Sequence, residues 1–219
     1  MDRLKVGVLI SGRGSNMTAL AKACAATDFP AEIVLVLSNG ADPGGLERAE
    51  GLGIATELIS HHGFPNRSSF EIALTERLEA AGVEFICLAG FMRLLTASFV
   101  NHWRDRMINI HPSLLPAFKG LHTHERALKA GVRISGCTVH FVRPEMDEGP
   151  IIIQAAVPVL ADDTPNSLAS RILVQEHRIY PEALRLIASG AATVMGERMR
   201  FRAAVGNDNL LVNPVPAQP

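Results

Sequence analysis

Short apolar runs rich in β-branched residues alternate along the first half of this chain with segments rich in helix-forming residues. The apolar runs lie at residues 4–10, 33–37, 54–59, 83–89 and 107–110. Runs of this length are typical of strands that are buried on both faces of a parallel sheet. Strands that alternate with helices predict an α/β fold with a mostly parallel central sheet and helices on both faces.

Two hairpins are predicted in the second half of the chain. Residues 134–142 and 151–159 predict two strands joined by a polar loop, so an antiparallel strand follows the strand at residues 107–110. Residues 192–195 and 198–201 predict a small edge hairpin. The central sheet is therefore expected to be mixed at one side.

Helix signals fill the gaps between the predicted strands. Thr164 is a cap and Pro165 occupies the first helical position of a long helix predicted over residues 165–188. The run SSFE from Ser68 fits a capping box, and Thr123 is a plausible cap further on. Shorter helices are predicted at residues 17–23, 43–51, 68–81, 96–102 and 123–130.

Length and composition favour one domain. The chain has 219 residues, of which 47% are hydrophobic, and this is enough for one substantial core. We therefore expect a single domain over residues 1–203. Residues 204–219 carry several prolines and little charge, and they predict a loosely ordered tail.

Charge and cysteine usage predict a small-molecule ligand and a cytoplasmic location. Lys+Arg 21 against Asp+Glu 22 gives a net charge of -1, so no global basic field is present to bind nucleic acid. The cysteines, Cys24, Cys87 and Cys137, are widely spaced among apolar neighbours and predict reduced thiols. No apolar run approaches the roughly 20 residues that span a bilayer. We expect no nucleic-acid or membrane partner, and either a monomer or a homodimer.

A glycine loop follows the first predicted strand directly. Residues 11–16 read SGRGSN, and glycines allow a loop backbone to approach a ligand closely. The free amides at the start of the next helix, near Ser15, Asn16 and Met17, predict a site for an anion such as phosphate. A dinucleotide fingerprint would need a glycine in place of Met17, so a nicotinamide cofactor is disfavoured. A plain strand-to-helix turn is the alternative.

The run NIHPSLLP at residues 109–116 ends a strand and cannot continue as a helix. Pro112 and Pro116 fix φ and remove two backbone donors, so a rigid turn is expected. Asn109 and His111 are two residues apart in a strand, which points both side chains to one face. Ligands bind at the carboxyl ends of strands in open α/β sheets. Both side chains can donate to an oxygen that becomes negative during acyl transfer.

Each of the remaining candidate site residues also has an ordinary structural explanation. Arg67 lies at a helix start, where a cation opposes the dipole, so it faces either an anionic ligand or solvent. The loop at residues 90–95 either walls a pocket for a flat aromatic ligand or belongs to the core. Glu176 falls near the apolar stripe of the long helix. His61 and His62 lack a third ligand nearby, so no metal is assigned.

Separated segments of the chain resemble one family, the folate-dependent phosphoribosylglycinamide formyltransferases. They read ISGRGSN at residues 10–16, LAGFMR at residues 88–93, NIHPSLLP at residues 109–116 and GLHTH at residues 120–124. The resemblance covers about residues 4–200. It implies a Rossmann-like formyltransferase fold. It also implies transfer of a formyl group from the cosubstrate 10-formyltetrahydrofolate to the amine of glycinamide ribonucleotide in purine synthesis.

The resemblance assigns roles to particular residues. It implies the catalytic residues Asn109, His111 and Asp147. It implies that the ribonucleotide is bound by Gly12, Gly14, Ser15, Asn16, Met17 and Glu176. It implies that the folate is bound by Arg67, Met92, Arg93, Leu94, Leu95, Asn109, Arg143 and Asp147. Leu173 and Val174 are apolar where relatives have polar side chains that help to bind the phosphate.

The implied chemistry needs no covalent intermediate because a neutral amine is already a nucleophile. Its attack on the formyl carbon creates an oxyanion, to which the Asn109 amide and a protonated His111 would donate. Each such donor raises the reaction rate by a factor on the order of 10²–10³. A carboxylate beside a histidine favours the charged imidazole, which explains a need for Asp147. Asp147 would also orient a water that carries a proton to the leaving nitrogen.

Three alternatives stay open at this stage. A methionyl-tRNA formyltransferase would carry a further carboxyl-terminal domain, and this chain ends soon after the long predicted helix. A formyltetrahydrofolate hydrolase would carry an amino-terminal regulatory domain, whereas the first predicted strand begins at residue 4. A non-catalytic nucleotide-binding module would bind phosphate at the glycine loop, with Asn109, His111 and Asp147 in structural roles.

Overall fold

Strands and helices alternate from residue 4 onward, as the apolar runs predict. The computed structural model describes residues 2–40, 42 and 44–202. Its strands are β1 (Leu4–Ile10), β2 (Ala31–Ser38), β3 (Thr56–Leu58), β4 (Phe85–Leu88), β5 (Met107–His111), β6 (Ile134–Phe141), β7 (Ile151–Pro158), β8 (Ala192–Met195) and β9 (Arg198–Phe201). Its helices are α1 (Ser15–Cys24), α2 (Gly44–Glu50), α3 (Arg67–Ala80), α4 (Ala97–His102), α5 (Thr123–Lys129) and α6 (Pro165–Ala188), with a short 3₁₀ helix at His61–Gly63.

The main sheet has the strand order β3-β2-β1-β4-β5-β6-β7. The pairs from β3 to β5 are all parallel, whereas β6 runs antiparallel to both β5 and β7. This confirms the prediction of a mostly parallel sheet with an antiparallel strand after His111. The small hairpin is also present, but β8 and β9 form a separate two-stranded sheet and not an edge of the main one.

Each face of the main sheet has its own hydrophobic core. Val8 of β1 packs in a cluster with Leu20 of α1 and Leu184 of α6. Its neighbour Leu9 belongs to a second cluster with Phe70 of α3. Because successive side chains of a strand point to opposite faces, helices cover both faces of the sheet, as predicted.

The long helix α6 spans the predicted residues and is fixed at its start and at its middle. The Thr164 hydroxyl accepts from the Ser167 amide at 3.2 Å, and the Ser167 hydroxyl accepts from the Thr164 amide at 2.9 Å. Tyr180 is fully buried, and its hydroxyl donates to the carbonyl of Leu88, at the end of β4, at 2.8 Å. This hydrogen bond holds α6 against the carboxyl end of the sheet, where a ligand is expected.

Two predicted helix caps are wrong by one or two positions. The cap of α3 is Asn66 and not Ser68, because the Asn66 side chain accepts the backbone N–H three residues on at 2.9 Å. Thr123 is the first residue of α5, and His122 stands at the cap position with φ 56°. Asparagine and serine are equally good caps, so the local pattern could not choose between adjacent polar residues.

The cysteines are free and buried, as predicted for core thiols. Burial raises the pKa of all three thiols, to about 12 for Cys24 and Cys137 and further for Cys87. A thiol with such a pKa stays protonated near neutral pH and is a poor nucleophile. None of the three is therefore a candidate for covalent catalysis.

Some predictions fall outside the described residues. The tail at residues 204–219 and the helix start at Pro43 both lie there. Within the described part of the chain, no helix is long and apolar enough to cross a membrane.

Asp163 fixes the start of α6 through a two-bond ion pair. Its carboxylate accepts from Nη1 and Nη2 of Arg171 at 2.7 and 2.8 Å, and its side chain is 2% exposed. Hydrogen bonding to Arg171 holds the pKa of Asp163 well below its usual range. The charged carboxylate therefore favours the folded state.

We predict that Asp163→Asn lowers the free energy of unfolding by about 1.5–3 kcal/mol at pH 7, the range for hydrogen bonds to charged groups. The unfolded pKa of Asp is about 3.9, so this contribution is complete above that pH and declines as the pH falls towards the lower folded pKa. The difference in the free energy of unfolding between wild type and variant, measured by urea unfolding, should be smaller at pH 3 than at pH 7. The exposed neighbour Asp162→Asn is the control, and an equal gap at both pH values would contradict the prediction.

Candidate active site

β5 carries Asn109 and His111 on one face at the carboxyl end of the sheet. Its pairing with β6 sets His140 directly opposite Asn109 and Thr138 opposite His111. Since β1, β4 and β5 are parallel, the loops that follow them meet at the same edge of the sheet. The strand register therefore gathers several polar side chains at this edge.

The turn after His111 is held by side chains of the neighbouring strands. The buried Thr138 hydroxyl donates to the carbonyl of Ser113 at 2.7 Å and accepts from the amide of Leu115 at 3.0 Å. Gln154 of β7 donates to the carbonyl of Leu115 at 3.0 Å. The two prolines of this run cannot donate, so these side chains satisfy backbone groups that a helix would otherwise pair.

The imidazole of His111 lies between two oxygen acceptors. Its Nδ1 is 3.4 Å from Oδ1 of Asp147, and its Nε2 donates to the carbonyl of Phe118 at 3.0 Å. A neutral imidazole has only one N–H, so only the charged form donates to both acceptors at once. The His111 side chain is 7% exposed, so water competes little for either nitrogen.

Asp147 lies in the loop between β6 and β7, which we call the Asp147 loop (residues 142–150). Its Oδ2 accepts from the amide of Gly120 at 2.6 Å, while its Oδ1 faces His111. Lys119 and Glu148 form an ion pair at 2.6 Å beside this contact. One carboxylate thus joins the hairpin tip, the loop before α5 and the end of β5.

His140 is a site residue that sequence reasoning missed. It is buried, and its Nδ1 donates to the carbonyl of Phe141 at 2.9 Å, which leaves Nε2 to accept from Nδ2 of Asn109 at 3.4 Å. Burial lowers the pKa of His140, so its neutral form is favoured. The pair orients the Asn109 amide. The only signal in the sequence is a polar residue within an apolar strand, and this does not indicate a partner.

The glycine loop turns sharply into α1. Gly14 is at the helix cap with φ 67°, a conformation that favours glycine, and Ser15 begins the helix. Gly12 lies in the same loop, and a side chain at Gly45, the second residue of α2, would collide with its carbonyl. Met17 is fully buried, so its side chain belongs to the core and only its backbone could face an anion.

Asn16 and Glu176 meet although they are distant in the sequence. The Asn16 amide donates to Oε2 of Glu176 at 2.6 Å, and both side chains are buried. Burial raises the pKa of Glu176, and the hydrogen bond from Asn16 acts in the opposite direction. Two residues of the expected ribonucleotide set are therefore in direct contact, one on α1 and one on α6.

A groove beside this pair carries cations that sequence reasoning did not single out. It is lined by Ser15, Thr18, Lys22, Arg48 and His177. Arg48 also donates to the carbonyl of Arg13, at 3.0 Å. Because α1 and α2 bring these residues to the flank of the glycine loop, the groove adds positive charge where an anion is expected.

The loop after β4 is largely exposed. Met92 is 68% exposed and Leu94 is 57% exposed, so neither belongs to the core. The Met92 amide donates to the Ser11 hydroxyl at 2.7 Å, which ties this loop to the one after β1. Burial lowers the pKa of His61, and the nearby Arg93 cation lowers it further. Two further residues of the expected folate set lie nearby in the fold: Leu95 packs against the second core, and Arg67 is exposed at the start of α3.

Arg143 does not offer its guanidinium to this edge of the sheet. Its Nε donates to Glu197 at 2.8 Å and its Nη2 donates to Asp105 at 2.9 Å. The guanidinium of Arg143 is therefore already paired, and the folate contact of this residue stays a prediction. The sequence pattern places Arg143 in a polar loop after the strand predicted at residues 134–142, and no local pattern marks its acidic partners.

The described residues contain no group of three or more His, Cys, Asp or Glu side chains that could hold a metal ion. His61 and His62 do stack, with ring centroids 4.0 Å apart.

The sequence of this chain matches one protein family over most of its length. Residues 4–184 match the family described as Formyl transferase. The chain belongs to this family. Its fold is therefore that of a formyl transferase domain.

Relatives of similar length carry a more specific name. The phosphoribosylglycinamide formyltransferase of Escherichia coli is 42% identical over 203 residues, which cover 90% of this chain and 96% of the relative. The crystal structure of glycinamide ribonucleotide transformylase 1 from Symbiobacterium toebii matches with a TM-score of 0.88 at 49% identity. It covers 91% of this chain and 94% of the solved one.

Other formyl transferase relatives differ in length or in name. The trifunctional purine biosynthetic protein adenosine-3 of Drosophila pseudoobscura pseudoobscura is 54% identical, but this chain spans only 14% of its length. The formyltetrahydrofolate deformylase of Burkholderia mallei shares the fold with a TM-score of 0.82 at 27% identity. The aligned region covers 71% of that deformylase.

We predict that Thr138→Val destabilises the protein by about 1–3 kcal/mol, because it leaves the buried Leu115 amide and Ser113 carbonyl without their partner. Valine has nearly the same volume, so packing is preserved. Thermal or urea unfolding measures the change. Thr193→Val on the exposed side of β8 is the matched control and should change stability by less than about 0.5 kcal/mol. Equal effects at both positions would rule out a role for the Thr138 hydroxyl.

Proposed function

We propose that this chain transfers the formyl group of 10-formyltetrahydrofolate to the primary amine of 5'-phosphoribosylglycinamide. Membership of the formyl transferase family supports the reaction class. The names of the full-length relatives support the acceptor. The observation that carries the proposal is the 3.4 Å contact between His111 and Asp147 beside Asn109, next to a glycine loop at a helix start.

The ribonucleotide would lie along the glycine loop. Its phosphate would accept from the backbone amides at the start of α1, around Gly14, Ser15, Asn16 and Met17, since a helix start favours an anion. The Glu176 carboxylate, held by Asn16 at 2.6 Å, is an acceptor for sugar hydroxyls. Lys22 and Arg48 in the neighbouring groove would supply charge that the apolar Leu173 and Val174 do not.

The folate would lie across the loops that follow β4 and β6. Met92 and Leu94 present exposed apolar surface, which suits a flat ring system. Arg93 and Arg67 offer cations to acidic groups of the cosubstrate. Asp147 would border both substrates, because its loop contacts the end of β5.

The reaction forms one carbon–nitrogen bond and breaks another. The neutral glycinamide amine attacks the formyl carbon, the bond from that carbon to N10 breaks, and one proton passes from the amine to N10. Nδ2 of Asn109, oriented by His140, would donate to the oxyanion. His111 would donate as well, after the carbonyl of Phe118 gives up its Nε2, since hydrogen bonds in a free site often rearrange when substrate binds.

Asp147 has two roles in this scheme. Its carboxylate stabilises the charged imidazole of His111 by direct pairing. It also orients a water that relays the proton from the amine to N10. No nucleophilic side chain is required, which agrees with the burial of the free cysteines.

One assay separates this function from its alternatives. The chain is mixed with glycinamide ribonucleotide and 10-formyltetrahydrofolate, and the release of tetrahydrofolate is followed with and without the amine. Release that depends on the amine supports the proposal. Release without the amine would indicate a deformylase, and formylation of methionyl-tRNA in its place would indicate that class of enzyme. No turnover in any mixture would favour a binding module.

We predict that His111→Ala lowers kcat by a factor on the order of 10²–10³, the typical cost of one lost oxyanion donor. The KM for each of the two substrates should change by less than about threefold. Steady-state kinetics with each substrate varied in turn would measure both constants. His102→Ala, an exposed histidine paired with Glu79, is the control and should leave kcat unchanged. A loss confined to KM would remove His111 from the chemical step.

We predict that Asp147→Asn lowers kcat by a factor on the order of 10²–10⁴, the usual contribution of a group that acts in proton transfer. Asparagine keeps the shape of the side chain but removes the carboxylate that faces Nδ1 of His111 at 3.4 Å. Steady-state kinetics with both substrates would measure the change. An unchanged kcat would remove Asp147 from the chemical step.

A further inference from the structure

Arg143 carries a charge that is almost removed from water at the base of the Asp147 loop. Its side chain is 5% exposed, whereas Glu145 and Met146, further along the same loop, are exposed. Arginine cannot release its proton in a protein, so a buried guanidinium needs acceptors for its N–H groups. The positions of these acceptors therefore determine where this part of the loop can lie.

The acceptors come from two other parts of the chain. Nη2 of Arg143 donates to Asp105, in the turn between α4 and β5, at 2.9 Å. Nε donates to Glu197, in the turn between β8 and β9, at 2.8 Å. Nη1 donates to the carbonyl of Val142 at 3.2 Å. Each nitrogen of the guanidinium thus has a partner.

Glu197 extends this set of contacts by one more residue. Its other carboxylate oxygen accepts from Nη2 of Arg104 at 2.9 Å. We call these four residues the Arg143 clamp: Asp105, Arg143, Glu197 and Arg104. Two cations and two carboxylates alternate in it, so the clamp is electrically balanced. It joins the Asp147 loop to the small β8–β9 hairpin.

The returning limb of the Asp147 loop packs on the stem of Arg143. A side chain at Gly149, which has φ 122°, would collide with the Phe141 carbonyl and lie 3.0 Å from Cγ of Arg143. Both limbs of the loop are therefore held at Arg143. Asp147, at the tip, has φ 53°, a conformation that residues other than glycine rarely adopt. Such a conformation persists only where the surroundings hold it.

We propose that Arg143 is a positioning residue for Asp147, and that the β8–β9 hairpin takes part in this role through Glu197. The clamp fixes the base of the loop from outside, and the Gly120 amide and His111 hold Asp147 from inside. The proposal rests on the proposed function, because Asp147 matters for turnover only if the His111–Asp147 pair is catalytic. The structural step, from clamp to Asp147, is testable without any turnover.

A purely structural ion pair makes a different prediction. Asp105 and Glu197 have side chains 45% and 59% exposed, so their pairing could add to overall stability without any effect at Asp147. The amide of Gly120 distinguishes the two cases, since it donates to Asp147 at 2.6 Å and reports directly on the position of that carboxylate.

The test compares three variants of the full chain. Arg143→Met removes the charge but keeps the length and burial of the side chain. Glu197→Gln weakens the clamp at an exposed position, so folding is preserved even where Arg143→Met does not fold. Glu182→Gln is the matched control, because Glu182 pairs with Arg185 on the surface of α6, away from the loop. Hydrogen exchange of the Gly120 amide is measured by NMR, and kcat and KM are measured in parallel.

We expect Gly120 exchange to become faster by on the order of tenfold in Arg143→Met and by a smaller factor in Glu197→Gln, with kcat falling in the same order. KM for the ribonucleotide should stay within twofold, because α1 and α6 are not altered. In the Asp147→Asn background, Arg143→Met should change kcat by less than twofold, since its effect acts through Asp147. The control should change none of these values.

Each of the other outcomes contradicts either the positioning role of Arg143 or the proposed function. Lower melting temperatures with unchanged Gly120 exchange and unchanged kcat would overturn the positioning role and leave a structural ion pair. An additive loss of kcat in the Asp147→Asn background would overturn it as well. If the wild-type chain shows no formyl transfer but the variants accelerate Gly120 exchange, the clamp stands and the proposed function fails.

Discussion

The contact between His111 and Asp147 is the interaction on which the candidate site depends. It joins the end of β5 to the loop at the tip of the β6–β7 hairpin. The two side chains are 3.4 Å apart, and both are largely shielded from water. The carbonyl of Phe118 faces the other ring nitrogen at 3.0 Å, so the imidazole is oriented through both of its nitrogens. The turn held by Thr138 and the clamp at Arg143 fix the two sides of this contact.

The histidines on the neighbouring strands β5 and β6 differ in the groups that their ring nitrogens face. His140 is buried with one nitrogen bound to a carbonyl, so its neutral form accepts from Asn109. His111 faces a carboxylate and a carbonyl, so both of its nitrogens are directed at acceptors. The antiparallel pairing of β5 with β6 sets His140 opposite Asn109, two residues before His111. One orients an amide donor, and the other is itself a donor.

The mixed sheet explains why the site lies where it does. Parallel strands β1, β4 and β5 deliver the glycine loop, the apolar loop after β4 and the residues Asn109 and His111 to one edge. The helix α6, anchored by Tyr180 to the end of β4, brings Glu176 to Asn16 across that edge. The reversal at β6 then returns the chain over the edge, and the Asp147 loop is the result.

The sequence by itself determined the elements with local causes: buried strands from apolar runs, the capped helix over residues 165–188, and the shared face of Asn109 and His111. Such features depend on the strand and helix periods and on side chains a few residues apart. A family resemblance, and no local pattern, indicated Asp147 and its partnership with His111. Only the tertiary structure decided the pairing of His140 with Asn109 and the burial of Arg143 between Asp105 and Glu197. These contacts depend on strand register and on the meeting of distant loops, which no short stretch of sequence encodes.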